Sequence, residues 1–363
     1  MSVSIEEHRL GGLRWIVLAG PEREAFGALG EHVRNELAAE EEPWPMLAGL
    51  RQHVSTAPGR DHLASVRRAT AEQYREEWAE LAAFAAGAAV PPEDLVLLNL
   101  RGDLGWTEGA MGCSDLAWRR DRSVIAHNED GGLSDVGRCG LLTLKGNGRP
   151  SVTAFWYPGF LPANAFAVTG DGLIWTIDHL PVAVPGPGAG RHFVGRGLQR
   201  AARSVDQVVD YLRDHPSAGG FSYMTGDRNG RIVNVEAAAG RHAVTEAEAV
   251  RPLLWHTNHG RYVPGAGPSA GGTSAARGDT LDALAVPAHE PGPSWFFDIL
   301  TTPPSAGVRS DPDPDDQGLT TLCTLVADLT AGEATIAERS SRPVTIPLAD
   351  LAEGNPPTQT APE

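Results

Sequence analysis

In the stretch MGCSDLAWRRDRSVIAHNEDGG, residues 111–132, Cys113 sits between Gly112 and Ser114, and a polar run, His127-Asn128-Glu129-Asp130, follows shortly after. A cysteine on a strand is more often inert packing than a nucleophile, so its neighbours decide. Gly112 puts no side chain in the way of a thiol attacking the carbonyl that precedes it. A peptide bond broken there leaves Cys113 with a free α-amino group, whose pKa of about 7.7–8.0 suits a general base near neutrality. The thiolate then attacks a substrate amide and forms a thioester. The tetrahedral intermediate needs preorganised donors for its oxyanion. Asn258, inside LLWHTNHGRY, is the candidate side chain. Asp130, at a strand end, is the candidate to hold the new α-ammonium group or to orient the nucleophile. The remaining cysteines, Cys139 and Cys323, read as small apolar packing.

Competing chemistry is weaker. His256 and His259 are three apart, but Trp255 and Thr257 favour extended chain and no third ligand follows at a suitable spacing. DPDPDDQG (311–318) has its glycine two places late for a calcium loop, and Leu322 stands where the bidentate acid belongs, so it reads as a solvated acidic turn. GPGAGRHFVGRG (186–197) lacks both the phosphate-loop lysine and a full dinucleotide fingerprint. A metal-dependent hydrolase using His127, Glu129 and Asp130 is the rival that chelators would inactivate and thiol alkylation would spare. The expectation is no metal and no cofactor.

The elements that must position these groups fall into two regimes. Residues 1–112 read mainly as helix, with amphipathic periods at 20–42 and 70–90. From 113 onward short apolar runs alternate with Gly, Asp and Asn turns, as strands do, interrupted by helices near 196–214 and 272–286. PGAGPSAGG (264–272) reads as a surface loop, and the Pro- and Thr-rich end from Glu353 as a disordered tail. The order of helices and strands predicts one α+β domain with layered sheets rather than repeated βαβ units. Its parts are a helical segment 1–112, a catalytic portion 113–352 and a tail 353–363.

With 30 Lys and Arg against 46 Asp and Glu, the formal charge is −16. That balance disfavours nucleic acid and anionic membrane as partners. No run approaches the ~18 apolar residues of a membrane helix, and the acidic start lacks the features of a signal peptide. Three cysteines in 363 residues fit free thiols in a reducing compartment, so a cytoplasmic location is expected.

The same landmarks, in order, resemble the peptidase C45 family of acyl-coenzyme A:6-aminopenicillanic acid acyltransferase-like proteins, within the N-terminal nucleophile hydrolases. The resemblance covers residues from about 12 to 345 and rests on ELAAFAAGAAVPPEDLVLLNLRGDL, GCSDLAW, AHNEDGG, AVTGDGLIWTIDHLP, HTNHG and SAARGDTLDAL. It implies a four-layer αββα sandwich and cleavage between Gly112 and Cys113 into two chains that stay together. It implies Cys113 as nucleophile, Asp130 as its orienting group and Asn258 in the oxyanion hole, with Arg277 as a basic residue near the site. Related bile-acid and penicillin-V hydrolases carry an arginine at the position of His127. Asp115, Asp178 and Gly260 depart from the family's usual small or hydroxylated residue, Asn and Phe.

The resemblance therefore implies an autoproteolytic amidohydrolase acting on a small-molecule amide, with the cleaved N-terminal segment as its partner and a homo-oligomer left open. Alternatives are an acyltransferase moving the acyl group to an amine in secondary metabolism, or a non-catalytic binding protein on the same fold. His127, Asn128, Glu129, Asp178 and Arg277 are the expected substrate-binding residues. Asp178 and Glu129 would recognise a cationic group, as in an aminoacyl amide such as a β-alanyl amine, unless both are exposed turn residues. Denaturing intact-mass measurement should show wild type as two pieces, 1–112 and 113–363, and Cys113→Ala as one. A wild type that stays whole after long incubation would remove the free α-amine from the mechanism.

Overall fold

The computed structural model describes residues 2–40, 43–106, 112–146, 148–182, 184–263, 273–304, 307–311 and 318–357. The expected loop at 264–272, most of the acidic stretch 311–318 and the tail beyond Pro357 lie outside them.

The chain opens with a hairpin that the sequence reading took as part of a helical segment. Strands β1 (Ser4–Leu10) and β2 (Leu13–Ala19) turn at Gly11 and Gly12, whose positive φ values of 55° and 91° favour glycine. β2, LRWIVLA, is covered on both faces and reads as a continuous apolar run, which hides the strand period. Helices α1 (Glu22–Ala39), α2 (Met46–Ser55), α3 (Ala57–Gln73), α4 (Arg75–Ala88) and α5 (Pro92–Leu100) follow. The single helix expected at 70–90 is the end of α3 and all of α4, separated at Tyr74.

Strands β3 (Gly112–Arg119), β4 (Ser123–Gly131), β5 (Gly140–Lys145), β6 (Val152–Trp156), β7 (Asn164–Thr169) and β8 (Leu173–His179) come next. The helix expected at 196–214 is two, α6 (Arg191–Ala201) and α7 (Val205–Asp214), with Ser204 capping the second through Gln207 N. Then come β9 (Gly220–Asp227), β10 (Ile232–Ala238), β11 (Arg241–Glu246), β12 (Leu253–His256), α8 (Ser274–Asp282) and α9 (Pro293–Thr301). β13 (Thr320–Asp328), β14 (Glu333–Glu338), β15 (Val344–Pro347) and α10 (Leu348–Glu353) finish the fold. Glu353 is not the start of a tail: it closes α10, accepts from Ser151 Oγ at 2.6 Å, and Gly354 caps the helix at φ 68°.

Among the described residues, nine strands form one sheet in the order β1-β2-β5-β6-β7-β8-β9-β10-β11 and six form another, β12-β3-β4-β13-β14-β15. Strand alternation sorts their side chains into three packed layers. Ile16, Leu18, Leu142, Trp175 and Ile177 face the helices, against Phe26, Leu29, Phe84 and Phe193. Trp15, Val17, Ile125, Phe155, Phe166 and Leu325 lie between the sheets. Leu116, Trp118, Ala126 and Val326 face α8 and α9, against Leu281, Phe296 and Leu300. The fold is the expected α+β sandwich, α/β/β/α in cross-section.

Helix α1 crosses α4 at glycines. A Cβ on Gly87 would fall on the carbonyl oxygen of Gly27, and one on Gly30 on the carbonyl oxygen of Phe84. Gly87→Ala should therefore lower the unfolding free energy in a urea titration by about 1–3 kcal/mol, although alanine is the better helix former. An unchanged or raised midpoint would mean that the helices can part without cost.

Candidate active site

The β3–β4 register places Cys113 opposite Glu129 and Asp115 opposite His127, while β12 places His256 opposite Asp115. Alternation then turns all five side chains toward the layer between the sheets. From the facing sheet β8 contributes Asp178 and β10 contributes Glu236 at inward positions, on the same side as Ile174 and Ile232. The result is a buried chain of acids and imidazoles beginning at the thiol.

Cys113 Sγ donates to Glu129 Oε2 at 3.2 Å, and His127 Nε2 lies 3.2 Å from the same oxygen. His127 Nδ1 contacts Asp115 Oδ1 at 2.7 Å, and the Tyr157 hydroxyl donates to Glu129 Oε1. Further in, His256 Nδ1 is 3.0 Å from Asp178 Oδ2, and its Nε2 is 3.0 Å from Glu236 Oε1. Glu236 also accepts the backbone N–H groups of Arg261, Tyr262 and Val263. Neither Glu129 nor Asp178 is an exposed turn residue: both are buried in strands.

A second set of groups holds the backbone of Cys113. Its N–H donates to Asn258 Oδ1 at 2.8 Å. Arg277 Nη2 donates to the same oxygen at 2.7 Å, and Nη1 donates to Ser114 Oγ at 2.7 Å and to the Cys113 carbonyl. Two donors on one atom identify it as the amide oxygen, leaving Nδ2 to donate to His179 O at 3.2 Å and to spare one hydrogen. Arg277, expected on a loose match, thus lies in the site.

Asp130 pairs with Gly112, so its side chain leaves the strand on the face opposite the thiol. It accepts from Ser310 Oγ at 2.5 Å and Thr321 Oγ1 at 2.7 Å, beside the bond that precedes Cys113. A Cβ on Gly112 would come within 2.8 Å of Asp130 Oδ2 and 2.6 Å of Leu319 Cδ1, so this position requires glycine. The expectation for Asn128 is corrected. Its Nδ2 donates to Leu300 O at 2.6 Å and its Oδ1 accepts from Thr324 at 2.7 Å, tying β4 to α9 and β13 on the far face. Alternation removes it from the substrate side. The metal rival meets the same obstacle, because His127 and Glu129 point one way and Asp130 the other.

Tyr157 and Glu236 escaped the sequence reading, and His256 entered it only as a dismissed ligand. A glutamate at an inward position of the apolar strand IVNVEAA was the available signal. Ligand atoms of Cys113, His127 and Glu129, and of Asp115, His127 and Asp178, lie within 4.8 Å of one another. Both ring nitrogens of His127 are already engaged with carboxylates, so its lone pair is not free for a cation.

Burial, then the Glu129, Asp178 and Asp130 carboxylates, pushes the Cys113 thiol well above its ordinary range. Burial likewise raises Asp115 to about 7, reinforced by Asp178. Burial alone would lower His127 and His256, but Asp115 and Glu129 lift the first to about 10, and Asp178 and Glu236 the second to about 9. Burial raises Asp130 as well, against the opposing Arg277 and its two hydroxyl donors.

A family model described as acyl-coenzyme A:6-aminopenicillanic acid acyl-transferase matches residues 118–342, beginning just past Cys113. No curated protein matches the sequence. Among solved structures, the chain is similar to penicillin V acylase from Agrobacterium tumefaciens, at 12% identity and TM-score 0.43, over 67% of this chain and 89% of that one. It is also similar to two variants of conjugated bile acid hydrolase from Clostridium perfringens, at 11% and 12% identity and TM-score 0.42, over 65% and 67% of this chain and 94% and 95% of those.

The two raised imidazoles make stability depend on pH. Each folded pKa lies above the ordinary 6.5, so the stabilisation is complete below pH 6.5 and is lost as pH rises through 9 and 10. Asp115, raised from 3.8, acts in the same sense at lower pH. Between pH 7.5 and 8.5 the unfolding free energy should fall by up to about 1.4 kcal/mol per unit for each imidazole. His256→Gln should lose about half of that slope; a flat profile in wild type would show that the imidazoles are neutral.

Proposed function

The chain belongs to the acyl-coenzyme A:6-aminopenicillanic acid acyl-transferase family, and from that premise we propose that it is a self-processing N-terminal-cysteine amidohydrolase. The observation that carries the proposal is the hydrogen bond from Cys113 N–H to Asn258 Oδ1, with Arg277 bridging Asn258, Ser114 and the Cys113 carbonyl. The nitrogen that would become the catalytic α-amine is thereby held where the mature enzyme needs it.

After cleavage between Gly112 and Cys113, the α-amine takes the thiol proton and the thiolate attacks the substrate carbonyl. The free hydrogen on Asn258 Nδ2 is the donor assigned to the developing oxyanion. Collapse expels the amine, which takes the proton from the α-ammonium group, and leaves a thioester on Cys113, which water hydrolyses. An acceptor amine entering in place of water gives acyl transfer, the activity in the family's name, through the same intermediate. Asp130, beside the bond that is cut, would hold the new α-ammonium group, and Arg277 fixes Asn258.

The substrate follows from charge. Asp115, Glu129, Asp178 and Glu236 outnumber the two imidazoles of the layer that begins at the thiol, His127 and His256. A buried excess of carboxylates favours a cation, so the acyl group proposed is an aminoacyl one, such as β-alanyl. β-Alanyl p-nitroanilide should be cleaved with a kcat/KM at least about tenfold above that of its N-acetyl analogue, roughly 1.4 kcal/mol of discrimination. Iodoacetamide should abolish the activity and EDTA should spare it. Preference for neutral fatty-acyl amides would refute the substrate class, and loss to EDTA alone would refute the nucleophile.

A further inference from the structure

Self-processing poses a chemical problem that the finished enzyme does not have. Before cleavage the nitrogen of Cys113, within β3, is an amide and cannot accept the thiol proton. The thiol is only 7% exposed and does not ionise unaided. A different base must act first.

Glu129 is in contact with the reacting atom. Its Oε2 accepts from Cys113 Sγ at 3.2 Å, a link set by their direct opposition in the β3–β4 register. Its orientation is held from both ends, by the Tyr157 hydroxyl on Oε1 and by His127 Nε2 on Oε2. Asp130, the other acid near this bond, lies on the opposite face and is occupied by Ser310 and Thr321.

We infer that Glu129 is the general base that starts cleavage of the precursor, a catalytic role separate from that of the α-amine in the mature enzyme. The inference rests on the self-processing reading above. Oε2 removes the Sγ proton as the sulfur attacks the Gly112 carbonyl carbon and a C–S bond forms. The C–N bond to Cys113 breaks, and the proton passes from Glu129 to the departing nitrogen. Gly112 is then joined to Cys113 by a thioester. Water adds to its carbonyl and expels the sulfur, one of the water's protons going to the sulfur and the other to the new amine or to solvent, leaving a Gly112 carboxylate, the Cys113 thiol and its free α-amino group.

The test is the cleavage rate of the full chain after pulse-labelled cell-free synthesis, with thermal melts of the purified variants to establish folding. Glu129→Gln keeps the shape and an acceptor oxygen but cannot take the proton, and should cleave roughly 10²–10⁴-fold more slowly than wild type. Hydroxylamine, which opens thioesters, should not release its fragments, because no thioester forms. In Glu129→Ala, added formate should restore cleavage by replacing the carboxylate. If either folded variant cleaves at the wild-type rate without formate, or if hydroxylamine splits Glu129→Gln as fast as wild type, the assignment is overturned. A wild type that never cleaves refutes the self-processing reading itself, a result distinct from wild type and Glu129→Gln cleaving together.

Discussion

Antiparallel pairing of β3 with β4 is the constraint on which the site depends. It sets the thiol against Glu129, Asp115 against His127 and Gly112 against Asp130. Because successive side chains alternate, a one-residue slip of β3 would turn Cys113 toward the helices and away from Glu129, and a slip of β4 would instead bring Asn128 inward. The flanking strands hold the register: β12 pairs with β3, and β13 pairs with β4 through a bulge between Thr321 and Cys323. That bulge coincides with the change from Thr321, which bonds Asp130 on one face, to Cys323, which packs between the sheets.

Burying so many ionisable groups is costly unless each finds a counterpart. Here each imidazole stands between two carboxylates, one near the thiol and one deeper. His127 supplies a cation beside the thiol, and Asp115 and Glu129 keep it protonated. A guanidinium is charged whatever surrounds it; an imidazole in this place needs acids on both sides. Asp115 is one of those acids, and Asp178 pairs with His256.

Short motifs made Cys113, Asn258 and Arg277 legible, because each lies in a distinctive local stretch. An α+β domain with layered sheets was legible from the order of helical and strand patterns, whereas the αββα arrangement came only with the family resemblance. The partners of Asp178 were not, since His256 and Glu236 join it only through the pairing of distant strands. Asn128 was misassigned because a polar run does not say which of its members points inward. The first hairpin was hidden by an unbroken apolar run, and α3 by its shortage of apolar residues, with only Gly59, Val66 and Thr70 buried. Local chemistry leaves marks in a sequence; long-range register does not.

The tight fit of Gly112 against Asp130 bears on reversibility. A chain cut after Gly112 would carry a new terminal carboxylate on the residue whose Cα packs against Asp130, since a Cβ there would come within 2.8 Å of Oδ2. Two negative charges at such close quarters in a buried setting repel strongly. Either one of them takes up a proton or the new end withdraws from the strand. In a self-processed chain, withdrawal would open the approach to Cys113 and separate the two ends that re-ligation would have to rejoin, so that this contact would act as an electrostatic ratchet.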